Sequence, residues 1–372
     1  MIYMDHAATT PVKNAVLQAM LPFFTTQYAN ASSGYQSART CRRAVDMARG
    51  QVAALIGAQP SEIYFTSGGS ESDNWAITGM ASAAGTKCGI VTSSIEHHAV
   101  LNTCAALSNH GYEITYLPVD ANGVINMRAA ESSINSNTAL VSLMLANNEV
   151  GSIQPVAQIC EIAHRFGVPV HTDAVQAVGH IPVSVDKLGV DLLSLSAHKF
   201  YGPKGVGALY IRKGTRIDRL IHGGEQEKGM RAGTENTAAI VGMGAAAAIA
   251  LESLTQVQAQ ISALRDYMIR RAMQILPNVR INALCVDRLP GHVHMTISHA
   301  DASLILMQLD MQGIAASSGS ACASGATTRS HVLTAMGNAI ENEADLRFTL
   351  GECNTKEEID KTLDALKCIV QE

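Results

Sequence analysis

An α/β fold is what this sequence predicts: a mainly parallel sheet with helices on both faces, followed by a small α+β unit. Two observations carry the prediction. Between about residues 50 and 215, short β-rich runs alternate with stretches of helical spacing, the pattern of strand–helix–strand crossovers. The C-terminal third breaks into a few short strands and helices instead.

Taken in order, residues 63–66 read as a strand. Residues 90–93, 140–145, 168–172 and 192–196 read as buried strands. Residues 71–84 and 156–166 have helical spacing between them. Residues 206–212 form a further strand after the turn Gly202-Pro203-Lys204-Gly205. A long helical region follows from about residue 237 to 275. Beyond it, 293–298 and 313–317 are short strands, and 302–311 and 356–370 are helical. The boundary is placed inside the long helical region near residue 255. This gives a large domain over 13–255 and a small one over 256–372, with residues 1–12 able to pack on either.

Composition narrows the function. Of 372 residues, 47% are hydrophobic and 16% charged, against an average charged share of roughly 25%. So much surface leaving water implies a large core and a subunit interface, and it excludes disorder. A net charge of −5 and 4% aromatics argue against direct nucleic-acid binding. The eight cysteines form no CxxC pair and no disulfide framework, which predicts free thiols in a reducing, cytoplasmic compartment. The N-terminus lacks the basic and apolar regions of a signal peptide. The apolar stretch 238–251 is shorter than the ~20 residues of a membrane span and reads as a buried helix.

In open α/β sheets, ligands bind beyond the carboxyl ends of the strands. After the first strand comes Ser67-Gly68-Gly69-Ser70-Glu71-Ser72, leading into a helix. It is either an ordinary Gly/Ser turn or a cradle whose free N–H groups take a phosphate. After the second comes Ile95-Glu96-His97-His98. Adjacent histidines on a strand point to opposite faces, so both are poorly placed to ligate one ion. Asn147-Asn148-Glu149 follows the third strand and either holds a turn or meets a carboxylate or a ring oxygen. After the fourth, His171 and Asp173 share a face, which allows a metal pair. Asp173 could instead keep a heterocyclic nitrogen protonated.

The most informative segment is Ser196-Ala197-His198-Lys199, directly after the 192–196 strand. Lysine is almost never fully buried unless paired. A desolvated lysine amine is nucleophilic and able to condense with an aldehyde. With Asp173 lying 26 residues upstream and the Gly/Ser turn earlier still, three parts of a pyridoxal phosphate site stand in order: phosphate holder, ring-nitrogen partner and aldehyde-binding lysine. In the small unit, Cys322 sits within Ser317-Ser318-Gly319-Ser320-Ala321-Cys322-Ala323-Ser324-Gly325. That is either a mobile loop with an incidental thiol or a reactive thiol on a movable backbone.

YMDHAATTPV, FTSGGSESDNWA, IEHHAV, ANNEVG, HTDAVQAVGHIPV, SAHKFYGPKGVGALYIR, HGGEQEKGMRAGTEN and SSGSACASG, taken with RFTLGECNTKEEID near the end, resemble the cysteine desulfurases. These belong to the aminotransferase class V group of fold-type I pyridoxal phosphate enzymes. The SSGSAC form is similar to the group I branch, which contains the housekeeping and nitrogen-fixation desulfurases. The resemblance implies a seven-stranded sheet sandwiched by helices in the large domain, and a homodimer. It implies that Lys199 holds pyridoxal 5'-phosphate covalently and that His97 stacks on its ring. Asp173 would pair with the ring nitrogen and Gln176 with the ring 3-oxygen. Gly69, Ser70, Ser196 and His198 would hold the phosphate, with Thr234 reaching the phosphate of the partner subunit. Asn148 and Arg347 would bind the carboxylate of L-cysteine, and Cys322 would receive its sulfur as a persulfide.

The cradle reads Gly-Gly-Ser where many relatives have Gly-Ala-Thr or Gly-Thr, which keeps the hydroxyl. The chain stops at Glu372, where some housekeeping relatives carry a longer tail for scaffold docking. A selenocysteine lyase or an aminotransferase of the same fold, and a non-catalytic sulfur-relay platform, are the rival readings. An aminotransferase has no use for Cys322, and a platform would not need Lys199, Asp173, His97 and Cys322 together. Iron–sulfur scaffold proteins, tRNA-thiolation enzymes and cofactor pathways are all open as sulfur acceptors.

Overall fold

The computed structural model describes residues 1–276, 278–318, 329–338 and 343–371. The chain opens with strand β1 (Ile2–Tyr3) and helices α1 (Asn14–Met20), α2 (Pro22–Thr25) and α3 (Gln36–Ile56). Gly57 ends α3 in the left-handed region at φ 69°, and its N–H bonds back to the last turn. Then β2 (Ile63–Thr66), α4 (Gly69–Ala83), β3 (Gly89–Ser93), α5 (His98–Ser108), β4 (Glu113–Leu117), α6 (Met127–Ser133) and β5 (Thr138–Met144) alternate. The alternation continues through α7 (Val156–His164), β6 (Val170–Asp173), α8 (Val185–Leu188), β7 (Leu192–Ser196) and β8 (Gly207–Ile211).

These strands form one seven-stranded sheet in the order β2-β8-β7-β6-β5-β3-β4. Pairing is parallel from β7 through β4, and only β8 runs against its neighbours. Every residue of β5 and β7 is buried, as expected for strands covered on both faces. The carboxyl ends of β3, β5, β6 and β7 therefore meet at one edge, and the segments after them share one side of the sheet.

Helix α9 (Thr237–Ile275) is 39 residues long. By length and composition alone it could cross a membrane, yet its first half packs in the core around the large sheet and its second half in a separate apolar cluster. Its small residues permit close approach: a Cβ at Gly244 would stand 2.5 Å from the Cα of Ala48 on α3. The second cluster contains β9 (Val279–Ile281), β10 (His292–Ser298), α10 (Ala302–Met311), β11 (Ile314–Ala315), β12 (Glu343–Thr349) and α12 (Lys356–Gln371), whereas the short α11 (His331–Ala335) packs with Ile95, Met144 and Val150. Its antiparallel sheet has the order β12-β10-β9. The N-terminal residues touch both clusters: β1 pairs with β11, while the Thr10 N–H bonds to the His198 carbonyl at 2.9 Å.

Some elements differ from the sequence reading. The strand read at 168–172 lies at Val170–Asp173, so Asp173 is its last residue rather than part of the turn. The strand read at 313–317 shortens to Ile314–Ala315, and Ser317 makes a separate bridge to Arg347. β4 was not anticipated. It is the sheet edge, and four of its five residues are at least partly exposed, so no apolar run marks it.

A buried ion pair fixes the segment between β8 and α9. Arg49 on α3 grips Glu227 with both terminal nitrogens, at 2.6 and 2.8 Å, and Glu227 also accepts the Phe65 N–H at 2.9 Å. Removing one partner of a buried pair strands the other charge, at a cost of about 3–5 kcal/mol. Arg49→Ala should lower the urea midpoint accordingly, and adding Glu227→Gln should recover part of the loss. An unchanged midpoint in the single variant would mean that the pair is solvated.

Candidate active site

A cavity of about 630 Å³ opens at the carboxyl edge of the large sheet. Its walls include Gly69, Ser70, His97, Asn148, Asp173, Gln176, Ser196, His198, Lys199 and Arg347, so ten of the twelve expected site residues meet there. Thr234 is exposed and does not line it. Cys322 lies outside the described residues, but Ser317 on one side of that stretch and Arg329 on the other face the cavity.

One end of the cavity is made for an anion. Helix α4 starts at Gly69 with no side-chain cap, so first-turn N–H groups have no intrahelical partner. A Cβ at Gly69 would stand 2.7 Å from the Val175 side chain, so the close approach there requires glycine. Glu71 steadies the turn by accepting the Ser67 N–H at 2.9 Å and holding Arg231 at 2.8 and 3.0 Å. Ser196 arrives from the end of β7. The His198 Nδ1 stands 3.2 Å from the Thr9 hydroxyl, and burial, with Lys199 and Lys204 nearby, brings its pKa down to about 4.

The middle of the cavity holds the titratable groups. Asp173 accepts the Val175 N–H at 2.9 Å. Burial raises its pKa, while His97, that N–H and Lys199 oppose the rise. His97 caps α5, its Nδ1 accepting the Ala99 N–H at 3.1 Å, which leaves Nε2 as the protonated nitrogen of the neutral ring. Burial lowers its pKa. The Lys199 amine donates to the Ala7 and Ala8 carbonyls at 2.5 and 2.9 Å, and Gln176 also donates to Ala7 at 3.1 Å. The DHAATT stretch thus forms the wall facing the lysine.

At the far end, Arg347 comes from β12. It bonds to the Asn148 carbonyl at 3.2 Å and to Asp5 at 2.9 Å, and its buried Nε has no partner. Glu149 accepts the Ser330 hydroxyl at 2.5 Å. Its pKa is pushed up to about 7 by burial, against the pull of Ser330 and Arg347. The His331 ring packs 4.9 Å from that of His98.

The sequence reading missed Asp73, Glu149 and His331 as wall residues. A signal for Asp73 existed: it precedes Ala76, Ile77 and Met80 at helical spacing, on the face that α4 buries. The metal pair considered for His171 and Asp173 does not form. His171 is held by the Ser142 and Ser194 hydroxyls at 2.9 Å each, and among the described residues no cluster suits a metal.

A parallel α/β sheet with a lysine, an aspartate and an anion cradle at its carboxyl edge defines a class. The chain belongs to the aminotransferase class-V family, which it matches over residues 2–362. Among its relatives, it is 48% identical to the cysteine desulfurase IscS of Dictyoglomus turgidum, over 100% of this chain and 94% of that one. Among solved structures, a NifS-like protein superposes with a TM-score of 0.93 at 39% identity, covering 100% of this chain and 99% of that one. A structure described as SspA in complex with cysteine superposes at 0.84 with 37% identity, covering 95% and 100%. The cofactor of this class is pyridoxal 5'-phosphate. The residues present fit it: an uncapped helix start where only glycine fits, a buried carboxylate and a lysine amine share one cavity.

Proposed function

We propose that this protein is a pyridoxal-phosphate-dependent cysteine desulfurase, converting L-cysteine to L-alanine and passing the sulfur to Cys322 as a persulfide. The observation that carries the reading is the convergence of Lys199, Asp173, His97 and Arg347 on one cavity in a chain so similar to curated desulfurases. When bound, the cofactor supplies an electron sink for carbanion character at the substrate Cα.

The protein's own residues do the rest. Arg347 offers its guanidinium to the substrate carboxylate, beside Asn148. Lys199 would hold the cofactor covalently, and its amine is the base placed in the cavity for the Cα proton. Asp173 would keep the ring nitrogen protonated, and His97 would lie against the ring. Cys322 attacks as thiolate: its S–S bond to the substrate sulfur forms, the substrate C–S bond breaks, and the electron pair stays with the carbon that is protonated to give alanine.

The acceptor of the persulfide is, in this reading, an iron–sulfur scaffold protein or a tRNA-thiolation enzyme. A homodimer is part of the same proposal. Exposed apolar side chains at Leu17, Leu21, Phe24 and Tyr28 support it, as does Thr234, which is exposed and is no part of this chain's own cavity wall. A cytoplasmic setting is also proposed, on the strength of the free thiols. Purified with pyridoxal phosphate, the protein should be yellow, scatter light as a dimer and release alanine from L-cysteine with a trapped protein persulfide. Alanine formed from a keto acid and an amino donor, with no persulfide, would overturn the reading in favour of an aminotransferase.

A further inference from the structure

A second carboxyl group lies in the same cavity as Asp173. Asp73, on α4, is 1% exposed, and its Oδ1 has no hydrogen-bond partner. We propose that Asp73 is held as a neutral carboxylic acid, and that its neutrality reserves the negative charge of the pair for Asp173. This rests on the reading of Asp173 as the partner of the cofactor ring.

The argument is one of unequal partners. The polar groups around Asp73 are Asp173 and His171 from β6, Ser194 from β7, and Glu96 from the turn after β3. The Ser194 hydroxyl, 2.9 Å from His171 Nε2, is the neighbour that favours the charged form of Asp73. The His171 Nε2 is 3.7 Å from Asp73 Oδ1, but this ring is no counter-charge. Its two nitrogens meet Ser142 and Ser194, and complete burial brings its pKa down to about 3. Ser142, His171 and Ser194 sit on three adjacent strands, β5, β6 and β7, and supply hydrogen bonds without charge. Asp173, by contrast, has the Val175 N–H and faces Lys199, with the His97 ring beside it supplying no fixed charge.

Two like charges sharing a buried site do not both ionise. The proton settles where compensation is poorer, on Asp73. Burial and the nearby Asp173 push its pKa upward, in agreement with the geometry. Asp73 is therefore a positioning residue, acting on the cofactor through Asp173.

The test begins with cofactor-free protein carrying ¹³C-labelled aspartate carboxyls. At neutral pH its infrared spectrum should show the carbonyl stretch of a protonated acid, moved by the label and removed by Asp73→Asn. Should that variant not fold, Asp73→Ser serves the same subtraction. In loaded protein, Asp73→Asn mimics the neutral acid. It should change cofactor affinity by less than about tenfold, the scale of one neutral hydrogen bond, and leave the pH midpoint of the visible band in place. Asp173→Asn should move that midpoint. No protonated-acid band removed at position 73, or a midpoint that Asp73→Asn moves as far as Asp173→Asn does, overturns the proposal. The infrared arm contains no cofactor, so its failure is separable from failure of the functional reading.

Discussion

Lys199→Ala should leave a folded protein without turnover. General acid–base transfer alone contributes about 10²–10⁴-fold, and the covalent hold on the cofactor goes with it. The fold should survive, because Lys199 is only half-buried and Gln176 still donates to the Ala7 carbonyl when the amine is gone. Borohydride treatment of the wild type followed by peptide mapping should place the reduced cofactor on Lys199. Label on Lys204 would overturn the assignment, since Lys204 is exposed and does not line the cavity.

Cys322→Ala should separate the two halves of the reaction. The variant should bind the cofactor and change its spectrum when L-cysteine is added, because Lys199, Asp173 and His97 are untouched. It should form no persulfide, and alanine release should nearly stop. A group held in place acts at effective concentrations up to about 10⁵ M or more, so millimolar external thiol should not restore the rate. The described cysteines offer no substitute. Cys41, Cys104 and Cys160 are buried, Cys285, Cys353 and Cys368 are exposed, and none of the seven, Cys88 included, lines the cavity. Alanine release from L-cysteine at the wild-type rate would mean the desulfurase reading of this segment is wrong. Loss of the cysteine reaction with the selenocysteine reaction intact would leave a lyase side activity, selenium being the easier atom to remove.

What could be read in the sequence was whatever sits next to its own strand. Lys199, Asp173 and His97 each follow or end a strand, and an open α/β sheet delivers those positions to one edge. Asp73 and Glu149 were missed for a different reason. Their character depends on groups brought close only by folding: Asp73 on Ser194 and Asp173, Glu149 on Ser330 and Arg347. No local pattern states that a carboxyl will lack a counter-charge. The edge strand β4 escaped because half-exposed strands carry little apolar signal. Arg347 was named through likeness to a family. Its own segment shows only that a charged residue interrupts a short β-rich run.

Helix α9 has a consequence for how substrate is admitted. At about 1.5 Å per residue its 39 residues reach about 58 Å. It is one uninterrupted rod, embedded at one end beneath the seven-stranded sheet and at the other beneath the sheet that carries Arg347. Clamshell closure of the kind that traps ligands between swinging lobes would have to bend that rod, and it contains neither proline nor a break in its ladder at which to bend. The spacing between Arg347 and Lys199 is therefore set before substrate arrives. Selection of α-amino acids over β- and γ-amino acids then follows from a ruler of fixed length: a carboxylate that reaches the arginine presents the carbon bonded to it at one distance from the lysine, and a spacer between carboxylate and amine does not fit.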